Sequence, residues 1–231
     1  MHIAVIPARA NSKRIKNKNI ISFHGKPIIY YSILTAIDSG LFDRVIVSTD
    51  SKKIAKISRK YGAETPFLRK KCISDDKTSV KEVVKDVIHN LSSKNKHINC
   101  VTLIYPCAPL LKKSTLKKAY KTFINTKAGY VFSISKYSSK VQRALILTKN
   151  NMTKSLQPKF EKTNSQDLVD TYYDSGQFVI GKTKYWLKDF SVHNNGEGFI
   201  LNYPENIDID NNDDLDFAKF AYENLYSKKL K

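Results

Sequence analysis

A basic loop near the N-terminus and a pair of acids near the C-terminus are the two places where residue types and spacing could do chemistry. The loop runs Ile6-Pro7-Ala8-Arg9-Ala10-Asn11-Ser12-Lys13-Arg14-Ile15-Lys16-Asn17-Lys18-Asn19-Ile20. Its small residues Ala8, Ala10 and Ser12 let backbone N–H groups approach a ligand, while Arg9, Lys13, Arg14 and Lys18 crowd it with positive charge. Backbone amides and fixed cations together make a triphosphate site; a solvated basic loop fits the same composition. The loop has no glycine, so it is neither a phosphate-binding Walker loop nor a dinucleotide fingerprint. Near the other end, Asp208 and Asp210 stand two apart and project to the same side of an extended segment. Two such carboxylates suit Mg²⁺, a hard cation that takes oxygen ligands. The alternative is that acids here cap the following helix, which is the reading for Asp213 and Asp214. A calcium-loop reading fails, because its glycine position falls on Asp213 and its last glutamate position on Lys219.

These residues need a scaffold that brings them together. Short apolar runs predict strands at 2–6, 45–47, 100–104, 130–134 and 177–180. Between them, apolar residues at helical spacing predict helices at 27–39, 51–61, 79–91 and 114–124, with a final helix at 214–226. The helix at 79–91 is the clearest: Val80, Val83, Val84, Val87, Ile88 and Leu91 share one stripe, and Ser79 with Glu82 forms a capping box. Strand–helix alternation implies a mostly parallel sheet covered by helices on both faces. Ligands in such sheets bind beyond the carboxyl ends of the strands, so the segments after Ile6, Val47 and Ile104 are where chemistry is expected. The alternation fails over 135–171, which contains one strand candidate at 144–147 and reads as an irregular insertion in a single domain spanning 1–231.

Composition narrows the class. The chain has 231 residues, 41% of them hydrophobic, enough for a buried core. No apolar run is long enough to cross a membrane, and the start MHIAVIPAR lacks the pattern of a signal peptide. Cys72, Cys100 and Cys107 are odd in number and have no metal-site spacing, so reduced thiols in a cytoplasmic protein are expected. The formal charge of +19 is compatible with nucleic-acid binding. The lysines are scattered, however, and no nucleic-acid-binding signature accompanies them, so neither nucleic acid nor a membrane is expected as a partner.

The basic loop resembles the N-terminal signature of the cytidylyltransferases that activate sialic acids and related sugars, I-P-A-R-G-G-S-K-x-I-x-x-K-N-I. The matching residues are Ile6, Pro7, Ala8, Arg9, Ser12, Lys13, Ile15, Lys18, Asn19 and Ile20. Ala10 and Asn11 replace two glycines; asparagine tolerates positive φ and alanine does so poorly, so the loop geometry at Ala10 is left open by the sequence. Asp208-Ile209-Asp210 resembles the same family's D-I-D segment. The runs Val141-Gln142-Arg143-Ala144-Leu145, Ser165-Gln166-Asp167-Leu168 and Tyr173-Asp174-Ser175-Gly176-Gln177-Phe178 resemble segments of its pseudaminic acid subgroup, as does Tyr105-Pro106-Cys107-Ala108-Pro109-Leu110 in part.

This resemblance implies a three-layer, Rossmann-like nucleotidyltransferase fold whose insertion at about 135–171 is a small dimerisation arm. It implies transfer of CMP from CTP to the anomeric hydroxyl of a nine-carbon, sialic-acid-like sugar, with pyrophosphate released. Arg9 and Lys18 would neutralise the triphosphate, Ala8 and Ser12 would line the loop, Asn19 would contact cytosine, and Arg69 and Ser79 would touch the nucleotide. Asp208 and Asp210 would hold Mg²⁺. Arg143 would take the sugar carboxylate, with Gln142, Gln166, Asp167, Asp174 and Gln177 facing its other polar groups. The arm is expected to pack on a second copy and carry Gln142 and Arg143 to the partner's sugar pocket. Neuraminic or legionaminic acid remains the alternative sugar within the family.

Overall fold

The initial apolar run forms β1 (His2–Pro7), buried from His2 to Ile6. Next come two short strands, β2 (Ser22–Phe23) and β3 (Lys26–Pro27), joined through His24 at φ 43° and Gly25 at φ 76°. Positive φ at both central residues makes a tight hairpin turn. Pro27, expected to open a helix, therefore ends a hairpin, and α1 (Ile29–Ser39) begins just after it. The expected alternation follows as β4 (Arg44–Ser48), α2 (Lys52–Lys60), α3 (Val80–Ser92), β5 (Cys100–Ile104), α4 (Lys113–Asn125) and β6 (Tyr130–Lys136). The chain continues through a hairpin of β7 (Leu145–Leu147) and β8 (Thr153–Ser155) into β9 (Tyr172–Lys182). It closes with α5 (Thr183–Leu187), α6 (Val192–Asn195), β10 (Gly196–Ile200) and α7 (Asn212–Tyr226). This computed structural model describes residues 1–12, 14–92, 97–188 and 190–226; Lys13 of the basic loop lies outside the described residues.

Six strands form one sheet in the order β10-β6-β9-β5-β1-β4. All its neighbours pair in parallel except β9, which is antiparallel to both β5 and β6. Alternate residues of β1 feed the two faces. Ala4 and Ile6 join a core formed with α1, α2 and α4, whereas Ile3 and Val5 join one formed with α3 and Trp186 of α5. A third cluster packs α7 through Leu215, Ala218 and Ala221 against Phe23, Ile28, Cys107 and Ile209. The molecule is thus the three-layer α/β sandwich expected from the strand–helix alternation.

Two strands differ from expectation. β9 starts well before Gln177, because its polar first half, Tyr172 to Asp174, pairs with Lys136, Ser135 and Ile134 beyond an irregularity in β6. Ser133, at that irregularity, accepts hydrogen bonds from the N–H groups of Gln177 (3.1 Å) and Phe178 (3.2 Å). β10 was not expected at all, since Gly196 and Gly198 disguise it as a turn. Both glycines are required by close approach to β6: a Cβ on Gly196 would stand 2.9 Å from the Phe132 ring, and one on Gly198 2.4 Å from Ile134.

The region 137–171 is the connection between two antiparallel neighbours, β6 and β9, extended into an arm. The expected strand within it is β7. Much of its apolar surface is open to solvent, including Leu145, Leu147, Met152 and Val169. All three cysteines are free, with Cys72 exposed and the other two buried. Among the described residues, no helix is long and apolar enough to cross a membrane.

Trp186 is fully buried beneath the sheet, edge-on to Tyr130 at 5.2 Å, and its indole N–H donates to Val101 O at 3.1 Å. Trp186→Ala removes that packing and leaves a carbonyl without its donor. The expected loss is about 3–5 kcal/mol, read as a fall in the urea midpoint with little change in slope.

Candidate active site

The carboxyl ends of β1 and β5 open into a cleft of about 400 Å³. The basic loop leaves β1 along its wall and places Arg9, Ser12, Arg14, Ile15, Lys18 and Asn19 there. Asn17 adopts a left-handed conformation (φ 55°), which starts the one-turn helix Lys18–Ile20. Asn19 is buried: its Nδ2 donates to Arg9 O at 2.9 Å, and its Oδ1 accepts from Cys107 Sγ at 3.5 Å. The side chain thereby ties the two ends of the loop together. Neither Ala10 nor Asn11 has a positive φ. Alanine in place of glycine at Ala10 therefore carries no left-handed strain.

The cradle of amides expected in this loop is corrected at two positions. Ala8 is fully buried and donates its N–H to Ser48 O at 2.9 Å, so it lines no ligand surface. The Ala10 N–H donates to Asp50 Oδ1 at 2.8 Å. The loop contributes its side chains to the cleft more than these amides.

Across the cleft, Asp210 is held by two cations of the loop, Arg14 Nη1 at 2.7 Å and Lys18 Nζ at 3.3 Å. Asp214 Oδ2 accepts from the N–H groups of Asp210 (2.8 Å) and Asn211 (3.0 Å), while Asn211 Oδ1 accepts from Asp214 N at 2.9 Å. Asn211 is therefore the N-cap of α7 and Asp214 its capping-box partner. Asp213 and Asp214 both lie in the first turn, where the helix dipole favours acids, as their sequence position implies. Asp208 makes no hydrogen bond or ion pair among the described residues. Its carboxyl lies over Gly176, where a Cβ would stand 3.2 Å from Oδ2. Desolvation inside the cleft, then repulsion from Asp210, pushes the Asp208 carboxyl up to about 6.

Other candidates fall into three places. Arg69 is buried on the cleft wall; Nη2 donates to Ser48 O at 2.9 Å, Nε has no partner among the described residues, and burial lowers its pKa. Ser79 is engaged in the expected capping box, with Oγ accepting from Glu82 N at 3.2 Å and its N–H donating to Glu82 Oε2 at 2.8 Å; its neighbours Thr78 and Val80 line the cleft. Gln177, expected to face the sugar, is a buried tie whose Nε2 donates to Ser175 O (2.8 Å) and Ile207 O (3.1 Å), fastening the Asp208 segment to β9. Asp174 accepts from Gly176 N at 2.9 Å and from His193 at 3.3 Å. Gln142, Arg143, Gln166 and Asp167 sit in the arm, on the one-turn helices Val141–Arg143 and Ser165–Asp167, and none lines the cleft of its own chain.

Several lining residues were given no role by the sequence, although Tyr105 and Cys107 lie in a segment quoted for its resemblance. Tyr105 lies at the end of β5, and burial raises its hydroxyl pKa. Burial likewise pushes the Cys107 thiol up to about 12, so it serves as a neutral donor to Asn19. Asp75 and Asp76 come from the loop before α3, and the only available hint was an acidic pair in a lysine-rich stretch.

A family model described as Cytidylyltransferase matches residues 3–190. The chain belongs to the cytidylyltransferase family. It is 43% identical, over 96% of both chains, to a pseudaminic acid cytidylyltransferase of Campylobacter jejuni subsp. jejuni serotype O:2. A CMP-N,N'-diacetyllegionaminic acid synthase of Legionella pneumophila subsp. pneumophila is 38% identical over 51% of this chain and 50% of its own length. Among solved structures, a CMP:2-keto-3-deoxy-manno-octonic acid synthetase complexed with CTP matches with a TM-score of 0.69. That match covers 96% of this chain and 98% of the other at 12% identity, and it establishes the shared fold.

In this cytidylyltransferase the isolated Asp208 has a measurable signature. Its pKa is higher in the folded chain than the ordinary 3.8. Ionisation therefore costs the metal-free fold stability, which is full below pH about 4 and declines as pH rises through about 6. Asp208→Asn abolishes that decline. At pH 7.5 without metal the variant should be the more stable by on the order of 1 kcal/mol, allowing for solvent screening at the cleft rim. The advantage should vanish below pH 4 in a thermal-melt series.

Proposed function

We propose that the chain transfers CMP from CTP to the anomeric hydroxyl of pseudaminic acid, with release of pyrophosphate. The observation that carries this reading is the 43% identity extending over 96% of both chains to a relative of that name. The legionaminic relative matches only 51% of the chain, so it is the weaker guide to the sugar. CTP as substrate places the reaction in the cytoplasm, where free thiols such as Cys72 stay reduced.

In the transfer, the sugar hydroxyl gives up its proton, its oxygen bonds to the α-phosphorus, and the bond to the bridging oxygen breaks. Positioning and charge neutralisation dominate such chemistry. Arg9 and Lys18 neutralise the triphosphate and the departing pyrophosphate. Arg69 on the cleft wall and the apolar faces of Val80 and Val83 hold the nucleoside end. Asp208 and Asp210 present hard oxygen donors on one side of the cleft, and Asp208 is free of protein partners among the described residues. That donor set fits Mg²⁺, which takes one or two carboxylates and completes its shell with phosphate and water. When bound, Mg²⁺ polarises the phosphate and lowers the pKa of a coordinated hydroxyl.

Incubation with CTP, Mg²⁺ and a panel of pseudaminic, legionaminic and N-acetylneuraminic acids, read as pyrophosphate release, tests the reading directly. Pseudaminic acid should give the highest kcat/KM and CTP should far exceed ATP or GTP. Asp208→Asn should lower kcat by on the order of 100-fold and remove the rise in Tm that Mg²⁺ and CTP give the wild type. A preference for N-acetylneuraminic acid would overturn the choice of sugar alone, and equal use of purine triphosphates the whole assignment.

The sugar side of the site is completed, in this reading, by a second copy. Gln142, with Oε1 buried and unpartnered among the described residues, and the exposed Arg143 stand on an arm whose apolar surface faces solvent. Leu145, Leu147, Met152 and Val169 are each about two-thirds exposed (65%, 66%, 69% and 72%), more than an isolated arm of a monomer would leave uncovered. A two-fold dimer covers this surface and delivers the Arg143 fork to the partner's sugar carboxylate. Mixing inactive Lys18→Ala and Arg143→Ala chains should then restore part of the activity, because one site of the heterodimer regains both residues. A monomer in sedimentation, or no rescue after proven subunit exchange, would leave the arm an intrachain element.

A further inference from the structure

Among the described residues, the cations that line the cleft are Arg9, Arg14, Lys18 and Arg69, and the acids are Asp75, Asp76, Asp208 and Asp210. In a chain of net charge +19, the described residues of the surface that must receive a polyanion thus include as many acids as cations. Two of the acid positions have an evident purpose. Asp208 and Asp210 form the carboxylate pair opposite the loop. Asp75 closes a turn, its Oδ1 accepting from Lys77 N (3.1 Å), Thr78 N (2.8 Å) and Thr78 Oγ1 (2.6 Å). Asp76, next along the chain, instead sets its carboxylate on the guanidinium of Arg9. The pair bridges 67 residues of sequence and joins the phosphate loop to the segment that leads into α3.

A carboxylate offers a guanidinium the same two-oxygen face that a phosphate does. We propose that Asp76 holds the place of a phosphate oxygen on Arg9 in the nucleotide-free chain, that the β- or γ-phosphate of CTP displaces it, and that it returns as pyrophosphate leaves. Asp76 is thus an affinity-setting residue of the triphosphate subsite. The proposal rests on the reading of Arg9 as a triphosphate cation. Both side chains of the pair are 34% exposed, so water can solvate Asp76 as it lets go, and the exchange strands no buried charge. The same partial exposure limits the effect: an ion pair of this kind is worth a few-fold in affinity.

Calorimetric titration of CTP, pyrophosphate and CMP into the wild type, Asp76→Asn, Arg9→Ala and the double variant tests this, with Asp76→Ser as a second replacement and far-UV spectra as the check of folding. Asp76→Asn should tighten CTP and pyrophosphate about fivefold, leave CMP unchanged, and have no effect in the Arg9→Ala background. Weaker or unchanged CTP binding in both Asp76 variants would overturn the proposal, because Asp76 would then only position Arg9. So would equal tightening for CMP or in the Arg9→Ala background, which would mark a bulk effect of charge. Arg9→Ala alone separates the two layers. If it leaves CTP affinity intact, the assignment of Arg9 falls and this proposal with it; if it weakens CTP while Asp76→Asn fails to tighten it, only the displacement falls.

Discussion

The grip of Arg14 and Lys18 on Asp210 is the contact on which the rest of the cleft depends. Lys18 and Asp210 are 192 residues apart in sequence, yet their charged atoms stand 3.3 Å apart. That closure requires the loop after β1 and the segment before α7 to meet at the same edge of the sheet. The strand order supplies the meeting place, with β1 between β4 and β5 and β9 next to β5. Gln177 fixes the second partner by bonding the carbonyl of Ile207 from the middle of β9. The third core cluster, with Ile209 buried between the two carboxylates, anchors the acidic segment from below.

A site that handles a polyphosphate together with a divalent cation must gather charges of both signs in a space water only partly fills. Each sign is tolerable there because the other is present. Asp210 and Asp76 are neutralised by the loop cations, and Arg69 feels Asp50 and Asp86 through the wall of the cleft. Asp208 has no direct partner among the described residues, and desolvation followed by repulsion from Asp210 raises its pKa. A carboxyl left in this condition is prepared to gain from a cation more than a solvated one would. Neutral groups set the geometry around these charges: the Cys107 thiol, too buried to ionise, orients Asn19, and Asn19 in turn clamps the loop at Arg9.

The regular elements were legible because burial writes a period into the chain. The valine stripe of α3, its Ser79–Glu82 cap and the apolar runs of β1, β4, β5 and β6 need no knowledge of neighbours. β10 was not legible, since two of its five residues are glycines whose missing Cβ leaves room for the Val192 carbonyl, Phe132 and Ile134. The early half of β9 was hidden for a related reason: its polar residues pair with the end of β6 rather than filling a core. At Pro27 a local rule misled, because the turn at His24 and Gly25 claimed the proline for a hairpin.

By itself the sequence determined which side chains bring concentrated charge to the cleft, since the basic loop and the Asp208–Asp210 pair are each contained in a short continuous segment. Those motifs also carried the family resemblance, because local loop geometry depends on residues a few positions apart. Only the tertiary structure decided how those charges are distributed among partners. Among the described residues it gave Asp210 two cations and Asp208 none, placed Asp76 on Arg9, and turned Gln177 inward while leaving Arg143 outside its own cleft. These are contacts between groups tens to hundreds of residues apart, and no local pattern encodes them. Their strength is set by distance and desolvation, quantities that exist only once the chain has folded.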